Sequence, residues 1–365
     1  MKNTKINWVL GGIALLILPL VLQYFGNAWV RIADLALLYV MLALGLNIVV
    51  GYAGLLDLGY VAFYAVGAYL FGLMASPHLA DNFAAFAAMF PNGLHTSLWL
   101  VIPLAAVLAA FCGALLGAPT LKLRGDYLAI VTLGFGEIIR IFLNNLDHPV
   151  NLTNGPKGIG QIDSVQIFGL NLGRPLEIMG FTLNSVTLYY YLFLALVVVS
   201  VIICHRLELS RIGRAWMAIR EDEIAAKAVG INTRNIKLLA FAMGASFGGI
   251  AGGVFAAMQG FVSPESFSLM ESIMILAMVV LGGMGHIPGV ILGAVLLSIL
   301  PEILRYGVGP AQMALFGKML VDPESLRMLV FGLALVLVMR FKPAGLWPSP
   351  ERKRELGEKR VEVAK

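Results

Sequence analysis

Four charged residues lie inside or at the ends of long apolar stretches, where an unpaired charge is costly. Glu137 and Arg140 are three positions apart, so on a helix they share one face and can form an ion pair. Asp57 and Glu271 are lone acids near the ends of two other apolar stretches. Ionisable side chains in such surroundings face protein or water and often mark a solute pathway. These four residues are candidates for a translocation path, and a structural ion pair is the alternative for Glu137 and Arg140.

The elements that must position these charges are membrane-spanning helices. Of the 365 residues, 59% are hydrophobic and 13% are charged, and the mean hydropathy is +0.86. A soluble domain is only about half apolar and about a quarter charged. We therefore predict an all-α bundle of about ten spans, because a span needs roughly 20 apolar residues. The ten apolar runs are 8–25, 32–50, 58–75, 98–118, 127–145, 188–204, 238–258, 268–284, 287–304 and 326–341.

Two parts of this prediction have alternatives. The run 8–25 follows two lysines and could be a signal peptide, but no small-residue cleavage site follows it, which favours a retained span. The runs 268–284 and 287–304 are separated only by Gly285 and His286. They could be two full spans or a broken, re-entrant pair.

The distribution of Lys and Arg predicts the orientation of the bundle, because cytoplasmic loops are enriched in both. With the N-terminus in the cytoplasm, the cytoplasmic segments hold 19 Lys and Arg residues and the outer segments hold six. Both termini are therefore predicted to be cytoplasmic. Residues 1–345 form the membrane domain in this interpretation, and the charged tail 346–365 is expected to be disordered.

The cytoplasmic loop 205–237 is the most informative segment of the sequence. Residues 214–229 mix small apolar and charged positions, which predicts one short amphipathic helix, and Gly230 is placed to end it. A helix lying on anionic headgroups is the alternative. The consecutive acids Glu221, Asp222 and Glu223 favour a protein partner instead.

Part of this loop resembles the coupling loop with which permeases of ATP-binding-cassette (ABC) importers dock to their ATPase subunits. Ala225 and Ala226, followed by three residues and Gly230, match its pattern, although Ile224 stands where Glu is usual and the later I-x-L-P is missing. The resemblance implies ATPase coupling by Arg214, Arg220, Glu221, Asp222, Glu223, Ala225, Ala226 and Gly230.

Further motifs extend the resemblance over about residues 35–345 and narrow the family. The motifs are 51–69, 123–140, 153–159, 259–267 and 280–285, and they are similar, in order, to the LivM-type permease of branched-chain amino-acid importers. Asp57 stands where a small polar residue is usual, and Asn154 where Gly is usual. The glycine motifs 50–54 and 281–285 also resemble each other, as in a weak internal repeat.

The resemblance implies a multi-subunit importer in a bacterial inner membrane. This chain would pair with a second, homologous permease and with two cytoplasmic ATPase subunits. A periplasmic binding protein would deliver leucine, isoleucine or valine. The outward segments 151–162 and 260–267 are candidates for docking that protein, and the candidate residues are Gly155, Lys157, Pro264 and Glu265.

The sequence also indicates what this chain does not do. It has no phosphate-binding loop G-x-x-x-x-G-K-[S/T], so we expect no cofactor on this chain, with ATP and Mg²⁺ on the partner ATPases. No metal-ligand or catalytic spacing is present, which argues against an enzyme. The net charge of +5 comes from the loops and does not indicate a nucleic-acid partner. The alternative function is a proton-coupled secondary amino-acid transporter using Asp57, Glu137 or Glu271, although such a carrier needs no docking helix.

Overall fold

The computed structural model of the chain describes residues 2–120, 123, 125–167, 169–178, 181–316, 323–342 and 344–348. This part of the chain is mostly helical, and residues Ile48–Tyr52 extend the second helix as a π-helical turn. The described helices are α1 (Lys2–Phe25), α2 (Asn27–Asn47), α3 (Val61–Met74), α4 (His78–Asn82), α5 (Ala84–Met89), α6 (Leu98–Thr120), α7 (Asp126–Asn145), α8 (Ser185–Glu208), α9 (Arg211–Glu221), α10 (Glu223–Ala228), α11 (Thr233–Gln259), α12 (Leu269–Gly282), α13 (Ile287–Phe316) and α14 (Pro323–Phe341).

Each of the ten predicted apolar runs contains most of a helix, but these helices differ in length. Among the described residues, five helices are long and apolar enough to cross a membrane: α2 with its π-helical extension, α6, α8, α11 and α13. By contrast, α3 and α12 have 14 residues each, so each is about 21 Å long against a hydrocarbon core of about 30 Å. The buried, irregular segment 53–60 precedes α3 and supplies part of the missing length.

The runs 268–284 and 287–304 form two separate helices that pack as an antiparallel hairpin. α12 and α13 are joined by the turn 283–286. Their backbones approach closely at two levels, because a Cβ on Gly282 would lie 2.2 Å from Gly289 O and one on Gly293 would lie 2.2 Å from Met278 O. α13 continues to Phe316, well beyond the predicted end of its apolar run.

Helix α11 lies at the centre of the bundle and packs against α2, α3 and α6. Gly244, Gly248 and Gly252 recur every four residues along it, and this stripe faces α2 and α3. A Cβ on Gly252 would lie 2.0 Å from Tyr64 O. Small residues at this spacing let helix backbones approach closely in a bilayer, where burial of apolar surface does not itself drive helix association.

The chain is not entirely α-helical. Two short antiparallel hairpins lie between α7 and α8: β1 (Gln166–Ile167) pairs with β2 (Leu170–Asn171), and β3 (Leu176–Ile178) pairs with β4 (Phe181–Leu183). The expectation of an all-α chain is wrong for this loop. Gly169, with φ of +84°, lies in the first connection, where a tight reversal between paired strands favours glycine.

The loops gather at two opposite ends of the bundle. At one end, here called the loop end, the segments 76–97, 146–184 and 260–268 are joined by hydrogen bonds, such as those from Asn151 Nδ2 to Asn82 Oδ1 at 3.0 Å and from Ile159 N to Val262 O at 2.8 Å. The other end, here called the coupling end, comprises 53–60, α9, α10 and the turn 283–286. Leu346 N and Trp347 N donate to Leu281 O and Gly282 O, so the first residues of the predicted tail pack at the coupling end. Residues 349–365 of that tail lie outside the described part of the chain.

Candidate functional site

Residues 211–230, here called the coupling segment, contain two helices, α9 and α10, where the sequence predicts one. The prediction of a single helix over 214–229 is wrong because Asp222 has an extended backbone, with φ of −151° and ψ of 109°. Its Oδ1 accepts hydrogen bonds from Ile224 N at 2.7 Å and Ala225 N at 3.0 Å. Asp is among the preferred residues for capping the first turn of a helix. Asp222 therefore ends α9 and begins α10.

Helix α9 is fixed to the bundle through its apolar face. Trp216 is fully buried and its Nε1 donates to Ile236 O, in the first turns of α11, at 2.7 Å. Ile219 is buried beside it. Arg214, on the opposite side, is exposed and donates to Leu209 O at 2.9 Å. α9 thus has one face that packs against α11 and one that is open to solvent.

Helix α10 presents an apolar surface to solvent. Ile224 is 70% exposed and Val229 is 78% exposed, and Glu221 and Asp222 are exposed next to them. We call these four residues with the exposed Ala225 the α10 surface. Gly230, with φ of +87°, ends the segment and no atom lies within 4 Å of a Cβ built on it. Ile224 and Val229 are not among the predicted coupling residues, although large apolar side chains in a charged loop indicate a contact surface.

Two of the predicted coupling residues turn inward. Glu223 accepts a hydrogen bond from Lys237 Nζ at 2.8 Å, and Lys227 Nζ lies 3.3 Å from its other carboxylate oxygen. The hydrogen bond from Lys237 lowers the pKa of Glu223. Ala226 is buried. Glu223 and Ala226 therefore hold α10 against α11 and do not face outward.

Arg220 also points into the protein. It is half-buried, and its Nη1 donates to Gly51 O in the π-helical turn that continues α2. The resemblance implied an ATPase contact for Arg220, but this geometry gives its guanidinium a partner within the same chain.

The predicted ion pair in α7 is present. Arg140 Nε and Nη2 each lie 3.0 Å from Glu137 Oε2. Arg140 Nη1 also lies 3.9 Å from Glu265 Oε1, in the segment that follows α11. The structure thus brings a translocation-path candidate close to a docking candidate. Both members of the pair are about one-third exposed, on a helix whose exposed residues between its two ends, such as Ile138, are apolar.

Asp57 and Glu271 lie at opposite ends of the bundle. Asp57 is buried in the segment 53–60 at the coupling end, where its Oδ1 accepts from Gly59 N at 2.9 Å. Its Oδ2 has no hydrogen-bond partner among the described residues. Glu271 lies in the first turn of α12, towards the loop end, and its Oε2 accepts from Tyr39 Oη at 2.9 Å. The candidate path residues therefore do not form one cluster.

A further buried acid was missed by the sequence analysis. Asp34 in α2 is fully buried, and neither of its carboxylate oxygens has a hydrogen-bond partner in the described part of the chain. The readable signal is an acid inside the apolar run 32–50. A desolvated carboxyl group of this kind is costly, so Asp34 belongs with the path candidates.

The two segments predicted to dock the binding protein, 151–162 and 260–267, pair with each other at the loop end. Ile159 and Val262 exchange backbone hydrogen bonds of 2.8 and 2.9 Å. Of the four predicted docking residues, Lys157 and Glu265 are exposed, whereas Gly155 and Pro264 are buried. Gly155 has φ of +54°, so its contribution is to the shape of the turn.

A cavity of about 720 Å³ opens beside these segments at the loop end. Its lining includes Trp99, His95 and Asp163, and His95 Nδ1 lies 2.5 Å from Asp163 Oδ2. This hydrogen bond raises the pKa of His95. Among the described residues, no group of three or more His, Cys, Asp or Glu side chains is arranged to hold a metal ion.

Comparison with known proteins gives a consistent set of relatives. The chain is 42% identical to the high-affinity branched-chain amino acid transport system permease protein LivM of Escherichia coli K12, over 96% of this chain and 78% of that protein. It is 43% identical to LivM of Salmonella typhimurium LT2, over 92% of this chain and 74% of that protein. LivH of the same Salmonella strain is 26% identical over 86% of this chain and 92% of its own length. No solved structure matches the chain.

A family model matches most of the chain as well. Residues 28–339 match the family described as the permease component of the branched-chain amino acid transport system. This range includes all but the first residue of α2, the whole of α3 to α13 and most of α14, so it covers the coupling segment and the charged residues described above. The relatives are permeases and not enzymes. The chain is a multi-pass membrane protein that belongs to the branched-chain amino acid transport permease family.

Proposed function

We propose that this chain is one of two permease subunits of an ATP-driven importer for leucine, isoleucine and valine, and that it forms half of the translocation path. The observation that carries the proposal is the α10 surface, a capped helix with two exposed apolar side chains at the coupling end. An apolar patch rimmed by charge is typical of a protein-binding surface. A self-sufficient carrier has no need of it.

The proposed complex has four kinds of subunit. The second permease is a homologue of this chain, and the resemblance of this chain to both LivM and LivH supports such a pair. Two cytoplasmic ATPase subunits hold ATP and Mg²⁺, so this chain binds no cofactor. One of them binds the α10 surface, and the other binds the corresponding loop of the second permease. A periplasmic binding protein docks at the loop end, where Lys157 and Glu265 are exposed.

The proposed orientation follows from the loops. The coupling end and both termini lie in the cytoplasm of a bacterial inner membrane, because the predicted cytoplasmic segments hold 19 of the 26 Lys and Arg residues. The loop end then faces the periplasm. This arrangement puts the binding protein and the ATPases on opposite sides of the bundle, as an importer requires.

The translocation path is proposed to run along α7. Glu137 and Arg140 are partly exposed on a helix that is otherwise apolar on its open face, with Ile130, Ile138 and Phe142 exposed there. A charged pair within the bilayer must face protein or water. The open face of α7 therefore faces the second permease across the path, where the pair meets the charged ends of the amino acid.

The proposed mechanism is a change in accessibility driven by the partner ATPases. ATP binding closes the two ATPase subunits and shifts α9 and α10, which are attached to α11 through Trp216 and Glu223. The movement tilts the spans and switches access from the outer to the inner side. It requires that ATP-bound ATPases favour one state of the permease over the other.

Uptake into proteoliposomes tests the function. Vesicles containing this chain, the second permease, the ATPases and the binding protein are given radiolabelled leucine, with either internal ATP or a proton gradient alone. We expect uptake that needs ATP and the binding protein and is unaffected by a protonophore. Uptake driven by the gradient alone would contradict the proposal and indicate a secondary transporter.

Co-purification of the ATPase subunits with this chain tests whether the α10 surface is their docking site. The double variant Ile224→Asp, Val229→Asp is expected to reduce co-purification of the ATPase subunits by at least tenfold, while membrane insertion is unchanged. Leu170→Asp, which adds a carboxylate at an exposed apolar position of the loop end, is the matched control. Normal co-purification of the double variant would rule out the α10 surface as the docking site.

A further inference from the structure

The side chain of Arg220 lies where three parts of the coupling end meet. Arg220 is in the last turn of α9, and its Nη1 donates to Gly51 O in the turn that continues α2. The same nitrogen lies close to Gly285 in the turn between α12 and α13. One side chain from α9 thus reaches both α2 and the α12–α13 turn.

The two turns that receive Arg220 have glycine at the points of contact. A Cβ on Gly54 would lie 2.6 Å from Arg220 Cγ, and a Cβ on Gly285 would lie 3.1 Å from Arg220 Nη1. Both glycines have positive φ, +69° and +83°. These positions belong to the similar motifs 50–54 and 281–285, which the fold brings together around this side chain.

The two turns are also joined directly. Asn47 is buried, and its Oδ1 accepts a hydrogen bond from Gly285 N at 2.8 Å. α2 and the α12–α13 turn are therefore hydrogen-bonded to each other at this end, and Arg220 contacts both of them. On its other side α9 is attached to α11 through the hydrogen bond from Trp216 to Ile236 O.

We propose that Arg220 is a positioning residue that transmits the displacement of α9 to α2 and to the α12–α13 turn. The inference rests on the proposed function and deepens it, because it separates docking from transmission within one segment. The α10 surface binds the ATPase, and Arg220 passes the movement on. If Arg220 instead contacts the ATPase directly, its substitution is expected to remove the ATPase subunits from the complex.

The chemistry of arginine suits this role. Its planar guanidinium has five N–H donors in a fixed geometry, so it can hold a backbone carbonyl and pack against a neighbouring turn at once. Lysine keeps the charge and has three N–H donors on one nitrogen, but it lacks the rigid, planar fork of the guanidinium. Glutamine keeps a shorter planar amide without the charge. These differences allow graded substitutions.

The test uses the complete reconstituted complex and measures subunit assembly, ATP hydrolysis and leucine uptake separately. In Arg220→Gln we expect ATPase co-purification and ATP hydrolysis within about twofold of wild type, and a fall of at least tenfold in leucine transported per ATP. Arg220→Lys is expected to recover part of this ratio. Arg211→Gln, an exposed arginine at the start of the same helix, is the matched control.

Three results would overturn the inference. Loss of the ATPase subunits from Arg220→Gln would make Arg220 a contact residue. An unchanged ratio of leucine to ATP would exclude transmission through it. Equal loss of hydrolysis and uptake, together with a lower melting temperature, would indicate a merely structural role.

A double-mutant cycle tests the contact between Arg220 and Gly54. Gly54→Ala is expected to lower the leucine-to-ATP ratio in the wild-type background, because its methyl group meets Arg220 Cγ. Arg220→Ala lacks Cγ and Cδ and keeps only Cβ, 3.2 Å from the new methyl group. In this variant the same substitution is expected to add less than a twofold effect, whereas backbone strain at Gly54 is the same in both backgrounds. Multiplicative effects would show that the two residues act independently and contradict the inference.

The outcome for wild type separates the two proposals. If the wild-type complex shows no ATP-dependent uptake, the proposed function fails and the inference falls with it. If wild type transports with ATP and the Arg220 variants keep the wild-type ratio, only the inference fails.

Discussion

Lys237 is a nearly buried cation whose charge is neutralised by Glu223. The side chain of Lys237 is only 8% exposed, and its Nζ lies 2.8 Å from Glu223 Oε2. Removing one partner of a buried ion pair is costly because the other charge is left without compensation. The pair therefore makes the attachment of α10 to α11 dependent on the ionisation of one carboxyl group.

Substitution of Glu223 is expected to loosen α10. Glu223→Ala should lower the free energy of unfolding by on the order of 3 kcal/mol, because it leaves the buried Lys237 ammonium without its partner carboxylate. Hydrogen exchange of the α10 amides in the purified chain measures the loss of protection. Glu221→Ala, an exposed acid two residues earlier, is the control and should leave exchange unchanged.

The same pair gives a pH dependence with a defined sign. Lys237 holds the pKa of Glu223 below its ordinary value of 4.5, so the folded state favours the carboxylate more than the unfolded chain does. This contribution is fully present above pH 4.5 and is lost as the pH falls through the lower pKa of the folded state. Protection of α10 should therefore decrease on acidification in wild type. A decrease of the same size in Glu223→Ala would contradict this origin.

Single residues were predictable where spacing alone determines the contact. Glu137 and Arg140 were expected to pair because positions three apart share a helix face, and they do. The inward direction of Arg220 and Glu223 was not predictable. The amphipathic pattern of the loop shows that one face is buried but does not show which neighbour covers it, and Gly51 and Lys237 come from other elements.

At the scale of elements, contact between α3 and α11 depends on glycines that admit the partner backbone. Positions 67 and 252 illustrate this, because a Cβ on Gly67 would lie 1.9 Å from Gly249 O and one on Gly252 would lie 2.0 Å from Tyr64 O. Neither contact can be relieved by rotating a side chain, since each involves a backbone atom. The two helices must separate if either glycine acquires a side chain.

Gly252→Ala is accordingly expected to destabilise the bundle by about 1–3 kcal/mol, the usual cost of overpacking. The control is Gly134→Ala in α7, where nothing lies within 4 Å of a new Cβ and alanine favours the helix. In detergent, the melting temperature of Gly252→Ala should fall. That of Gly134→Ala should stay equal or rise. Equal destabilisation by the two variants would show that packing against Tyr64 is not the cause.

Hydropathy predicted the elements better than it predicted their ends. Each of the ten apolar runs contains most of a helix because the bilayer selects for length and apolarity. The break at Asp222 was missed because a residue that can cap a helix can also lie within one. The hairpins between α7 and α8 were missed because strands of two or three residues carry too little periodicity to read. The start of α3 was predicted three residues too early because Leu58, Gly59 and Tyr60, which precede the helix, continue its apolar run.

At the scale of the whole molecule, the two clusters of loops are predicted to lie on opposite sides of the membrane. Lys157→Cys, exposed at the loop end, is expected to react with a membrane-impermeant maleimide in intact cells, once the outer membrane admits the reagent. Arg211→Cys, exposed at the coupling end, should react only after the inner membrane is opened. Both are made in a background lacking Cys112 and Cys204. Labelling in the reverse pattern would invert the proposed orientation.

The pairing of Ile159 with Val262 also has a consequence for biosynthesis. The turn around Gly158 closes against a segment that is made roughly 100 residues later. At about 5–20 residues per second, the ribosome needs roughly 5–20 s to deliver that segment. During this interval α7 is already made and α8 is still being made, and the turn between them has no strand to pair with. The nascent permease is therefore exposed to proteases and quality-control factors on that side until α11 has been threaded through the bilayer.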